Sequence, residues 1–175
     1  HVVDVEREAT GTWCAYNDWG GSNHYQGLTG PSGQDFAGEV SLLRPWATGF
    51  VRWPDDAPRI PFASPPLTRP RYPHMEYARQ KGISKKYASS GWAAFERPFA
   101  LWAEEQGIAL DYLTQHDLHA DPHLLDGYKR AVIVGHDEYW TWDMRDHLDA
   151  WVESGGQLAR FGGNFGCEVL VILRM

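Results

Sequence analysis

The chain has 175 residues, a formal charge of -7, 43% hydrophobic and 22% charged residues, and an aromatic share that includes nine Trp and eight Tyr. That length suits one domain with a real core. The acidic balance, with no Lys/Arg-rich run, excludes nucleic acid as the expected partner because phosphate backbones need clustered positive charge, and no apolar run approaches the roughly 20 residues that cross a bilayer, so no membrane is expected and the chain reads as soluble.

In chain order, the run Thr12 to Tyr16 predicts a short strand, broken by the turn formers Asn17, Asp18, Gly20 and Gly21. "GEVSLLRPW", 38 to 46, predicts a second strand stopped by Pro45. From Pro45 to about Tyr87 lie eight of the eleven prolines, a density that predicts neither helix nor inner strand but a lid, a binding loop or disorder within the single domain 1–175. A helix is predicted over 95–105, with Phe95, Phe99, Leu101, Trp102 and Ala103 as its apolar positions and Gly107 at its end. A strand at 108–113 follows, then a short helix near 122–128 capped by Asp121, then the buried strand 130–135. "TWDMRDHLDAWVESGG" predicts a helix with Met144, Leu148, Trp151 and Val152 on one face, ended by Gly155 and Gly156, and "QLARFGGN" a last strand.

Strand and helix alternating through short connections predict an α/β fold, a doubly wound and mostly parallel sheet. Ligands in such sheets bind outside the carboxyl ends of the strands. His136, Asp137 and Glu138 leave the most apolar strand at that end. A histidine and a carboxylate two residues apart can share one cavity and serve proton transfer or a hard metal. The plainer reading makes Asp137 or Glu138 a cap for the next helix and His136 an ordinary loop residue. Tyr16 and Asn17 end the first predicted strand in the same manner, and Asn164 ends the last one among glycines that allow close backbone approach. Tyr16 alone more often marks a buried phenol with one partner.

His116, His119 and His123 have spacings that imitate a metal site, but Asp121 and Pro122 explain that segment as a helix start. "GGSNHYQG" lacks the ending of a phosphate loop, and no Gly-x-Ser-x-Gly elbow occurs. Cys14 and Cys167 form no CxxC pair and read as buried or free thiols, outside any nucleophile turn. The start at His1 and the apolar finish "EVLVILRM" suggest a fragment or a processed piece, truncated at the C-terminus.

"TWCAYNDWGGSNHY", "VSLLRPW", "GHDEYWTWDMRDHLDAWVESGG" and "LARFGGN", in this order from Thr12 to Asn164, together resemble the C-terminal domain of the large subunit of N,N-dimethylformamidase and its relatives. The resemblance implies a fold like the class I glutamine amidotransferases, flavodoxin-like and without their cysteine nucleophile. It further implies hydrolysis of a small amide, such as an N-substituted formamide, at a mononuclear iron held by two tyrosines and a glutamate. By motif position Tyr16 and Glu138 match metal ligands, and His136 and Asn164 match residues near substrate, His136 as proton shuttle and Asn164 as oxyanion donor. Trp46 stands where the second tyrosine is expected, with Tyr72 or Tyr77 as substitutes. A homo-oligomer or a second subunit is the implied assembly. The alternative is a carbohydrate- or ligand-binding module, or a structural subunit, that has lost the metal.

Overall fold

A computed structural model of the chain describes residues 4–20, 23–25, 39–59, 72–166 and 168–169, with side chains described outside 4–8 and 168–169. The described chain forms two compact units, one from His1–Thr12 with Phe95–Met175, the other from Trp13–Ala94.

The first unit is α/β. Strands β1 (Asp4–Glu8), β2 (Leu110–Thr114), β3 (Arg130–Val134) and β5 (Gln157–Phe161) form an open sheet in the order β2-β1-β3-β5. Every pairing is parallel: Asp4 lies opposite both Leu110 and Arg130, and Arg130 opposite Gln157. β4 (Tyr139–Trp140) pairs separately, also in parallel, with β6 (Glu168–Val169). The helices of this unit are α3 (Glu96–Glu105), α4 (Gln115–Ala120) and α5 (Trp142–Glu153).

β3 forms because "AVIV" is an apolar, β-branched run that is buried throughout. Ala131 and Ile133, two apart and so on one face, pack with Leu118 of α4 and with Trp140, Met144, Leu148 and Trp151. Met144, Leu148 and Trp151 recur at the spacing that lines one side of a helix. Burying a side chain such as Met144 or Leu148 contributes about 1.5–3 kcal/mol. Val152, expected on that face, is instead exposed. α5 starts where Thr141 Oγ1 accepts from Met144 N–H at 3.1 Å, a cap that contributes about 1 kcal/mol. Thr141 therefore fills the capping role that the plainer reading gave to Asp137 or Glu138.

α3 lies where predicted, but its buried line is Glu96, Ala100 and Ala103, while Leu101 and Trp102 face outward. The helix predicted at 122–128 is a series of turns, with Asp121 Oδ1 accepting from His123 N–H at 2.8 Å. The helix sits earlier, as α4. Thr114 and Asp117 close a reciprocal capping box there, Thr114 N–H to Asp117 Oδ2 at 2.9 Å and Asp117 N–H to Thr114 Oγ1 at 3.2 Å. Six residues with one buried leucine carry too little periodicity to announce themselves.

α1 (Thr10–Tyr16) replaces the strand predicted at 12–16. Thr12 through Tyr16 are all buried, and a segment buried on every side has no amphipathic period from which to tell helix from strand. In the second unit no strand forms over 39–46. Arg44 there donates to the carbonyls of Cys14 at 3.0 Å, Asn17 at 2.5 Å and Trp19 at 3.2 Å, satisfying acceptors at and beyond the end of α1. Asn17 holds the next residues, donating to Pro45 O at 3.0 Å and accepting from Ala47 N–H at 2.9 Å. Side chains thus do what a strand ladder would have done. The proline-rich stretch contains α2 (Pro73–Lys81). Proline is well placed in a first helical turn, and no further proline follows until Pro98. Ala78 of α2 packs with Ala57, Tyr87 and Ala88.

Candidate functional site

β3 delivers the site. Its last residue, Val134, is followed by Gly135 at φ +87°, and a Cβ there would lie 2.7 Å from Phe95 Cβ. A Cβ on Gly162, which follows β5, would run into the Gly135 carbonyl oxygen. Glycine at 162 lets the two strand ends come this close, and glycine at 135 lets Phe95 lie against the turn. Gly135 N–H donates to Phe161 O at 3.0 Å and Gly166 N–H to Asp137 O at 3.1 Å, so the segments after β3 and β5 are stitched together beyond the sheet.

This brings three of the four predicted residues together. His136 Nε2 lies 3.1 Å from Glu138 Oε2. The Asn164 amide nitrogen lies 3.5 Å from Glu138 Oε1, at the outer limit of hydrogen bonding, and is 3.4 Å from His136 Nε2. A carboxylate only accepts, so the short contact assigns the proton to His136 Nε2, which donates to Glu138. The side chains of His136 and Glu138 are 23% and 12% exposed, closed in yet reachable. Asn164 adopts φ +55°, a left-handed conformation that asparagine tolerates better than most residues.

Beneath them is a buried polar frame that the strand-end reading had not singled out. Gln115 and Asp137 are at most 1% exposed. Gln115 Nε2 donates to Asp137 Oδ1 at 2.9 Å and to Tyr139 O at 2.8 Å, while its Oε1 accepts from Gly11 N–H at 2.6 Å. Thr12 Oγ1 accepts from the N–H groups of Glu138 at 2.9 Å and Tyr139 at 3.2 Å. Gln115 follows β2 just as His136 follows β3, and Thr12 comes soon after β1. Applied to every strand, the carboxyl-end rule would have found them. The sheet reverses direction of growth between β1 and β3, and such a switch point is where open α/β sheets take ligands.

Tyr16 belongs to the second unit. It is buried at the end of α1, its ring centroid 4.5 Å from that of Tyr25 and 4.9 Å from the Lys86 ammonium. Asn23 holds that arrangement, donating to Tyr16 O at 2.8 Å and accepting from Tyr25 N–H at 2.7 Å. Trp46 sits edge-on to Trp13 and stacked on Phe50. Tyr77 donates to Asp56 at 2.5 Å, and that carboxylate pushes its phenol up to about 12. Tyr72, the other tyrosine substitute, is exposed. Of the three candidate metal histidines, His119 meets Thr141 at 3.0 Å and His123 meets Asp126 at 3.0 Å. Among the described residues no three His, Cys, Asp or Glu side chains are grouped as a metal would need. Cys14 is a buried free thiol that desolvation pushes up to about 11 despite Arg44, so it is no nucleophile. Cys167 lies outside the described residues.

The model of the N,N-dimethylformamidase beta subunit-like C-terminal family matches residues 7–170. The chain belongs to that family. The match takes in Thr12, Gln115, His136, Asp137, Glu138 and Asn164, so the dimethylformamidase-like region and the polar cluster coincide. A search of curated proteins returns no match. Among the described residues no helix of this dimethylformamidase-like chain is long and apolar enough to cross a membrane.

Proposed function

We propose that the chain is an amide hydrolase-like domain whose chemistry centres on His136, Glu138 and Asn164. The observation that carries this reading is their convergence at the switch point of a parallel sheet in a dimethylformamidase-like chain. Counted along the main sheet's own strands the order is 2-1-3-4. It matches the start of the flavodoxin-like order and supports the glutamine amidotransferase-like class. The family's beta-subunit description supports a second subunit as partner.

The donor set does not match the family's iron in full. Glu138 and Tyr16 offer hard oxygens of the kind a ferric ion takes, but the indole of Trp46 is a donor only and is engaged in an aromatic cluster. Tyr77 is held as a neutral phenol by Asp56. The steps assigned to this chain therefore rest on its own residues. Asn164 donates to the carbonyl oxygen of a small amide as water adds to the carbon. His136, steered by Glu138, takes the water proton and passes it to the nitrogen as the C–N bond breaks, releasing a carboxylic acid and an amine.

The test follows amine release from N,N-dimethylformamide and simple formamides, with iron measured by plasma mass spectrometry. His136→Ala is expected to lower kcat/KM about 10²–10⁴-fold. Absence of release by the wild-type chain on every formamide overturns the reading. Stoichiometric iron that disappears in Glu138→Ala means that donors other than Trp46 complete a metal set.

A further inference from the structure

Gln115 uses its amide fully. Gly11 N–H can only donate, so the atom facing it is Oε1, which leaves both N–H groups of Nε2 for Asp137 Oδ1 and Tyr139 O, two acceptors. The two bonds grip the peptide segment on either side of Glu138, one through the Asp137 side chain and one through the Tyr139 backbone. Thr12 holds the same segment by the N–H of Glu138 itself. His136 and Glu138 are thus the flanks of a loop whose centre, Asp137, is fixed from inside the protein.

We infer that Gln115, acting through Asp137, is the positioning residue that sets the His136–Glu138 contact, and with it the ring nitrogen that His136 turns toward Glu138. The inference rests on the amide hydrolase reading for its consequence in catalysis, though not for the contact itself. Burial explains why the arrangement is stiff. The bonds of Gln115 to Gly11 and Asp137 are buried, where a partner left alone is costly. A misplacement of about 1 Å at a reacting group costs about 10²-fold in rate.

Two isosteric changes test this in the full chain labelled with ¹⁵N at histidine. Gln115→Met removes the hydrogen bonds and keeps the length, whereas Gln115→Glu keeps the shape and sets a carboxylate against Asp137. The His136 ring nitrogens, assigned from the signals missing in His136→Gln, report the tautomer without any substrate. The wild-type chain is expected to show the Nε2–H form, and both variants a shift away from it, with kcat on N,N-dimethylformamide falling about 10²-fold and KM nearly unchanged. Unaltered His136 signals in a folded Gln115→Glu chain overturn the inference, as does an equal loss in kcat and thermal stability with the tautomer kept. If the wild-type chain hydrolyses no formamide, the functional reading fails while the ring-nitrogen spectra still decide the role of Gln115.

Discussion

Replacing Gly135 by alanine tests whether the site depends on a backbone only glycine adopts. At φ +87° an L-residue costs about 1–2 kcal/mol. The new methyl group would stand 2.7 Å from Phe95 Cβ and 3.1 Å from its Cγ, and relieving such overpacking costs about 1–3 kcal/mol. The two effects have separate origins, so a loss of about 2–5 kcal/mol is expected, a large share of the roughly 5–15 kcal/mol that holds a domain together. Urea unfolding followed by tryptophan fluorescence measures it, with the m-value checked for constancy. Adding Phe95→Ala is expected to bring little relief, because the nearest atom is the Phe95 Cβ, which alanine retains. A loss below about 0.5 kcal/mol, the range of an ordinary surface substitution, would refute the argument that the left-handed angle and the Phe95 contact require glycine at 135.

The other expectations concern single groups. Asn164→Gly keeps the left-handed turn and removes the amide, so stability should hold while amine release falls about 10²–10³-fold. Asn164→Val should also destabilise, since a β-branched residue is a poor fit there; equal rates in wild type and Asn164→Gly would remove Asn164 from the mechanism. Cys14, raised from an ordinary value near 9 to about 11, should resist iodoacetamide at pH 8 in the folded chain and react once urea unfolds it, as peptide mapping would show. Its raised value means that the folded state keeps the thiol proton longer than the unfolded chain. Its contribution to stability is therefore full below pH 9 and fades as pH rises toward 11. Rapid labelling of Cys14 in the folded state would contradict its burial.

What the sequence disclosed was governed by how each element is buried. α5 and β3 were legible because one has a single apolar side and the other a continuous apolar run. α1 was not, because Trp13, Cys14, Ala15 and Tyr16 are buried together and favour no period. β1 escaped notice for the opposite reason: four of its five residues, Asp4, Glu6, Arg7 and Glu8, are charged, whereas inner parallel strands usually read as valine and isoleucine. His136, Glu138 and Asn164 were found by position relative to strand ends. Gln115 was hidden because its strand runs straight into a short helix set by "TQHD", a segment between the predicted elements.

The place of β1 has a consequence for how the chain reaches its native state. In the sheet, β2 and β3 meet only through β1, whose residues 4–8 pair with 110–114 and 4–7 with 130–133. During synthesis this strand waits, with neither side satisfied, until both partners have been made. Distant pairings of this kind slow folding, and an unpaired strand is a template for another chain. The nascent protein is thus more prone to aggregate than the finished one. Slower synthesis at low temperature or a chaperone that covers residues 4–8 should raise the soluble yield, while shielding the outer side of β5, the edge strand of the sheet among the described residues, should matter less.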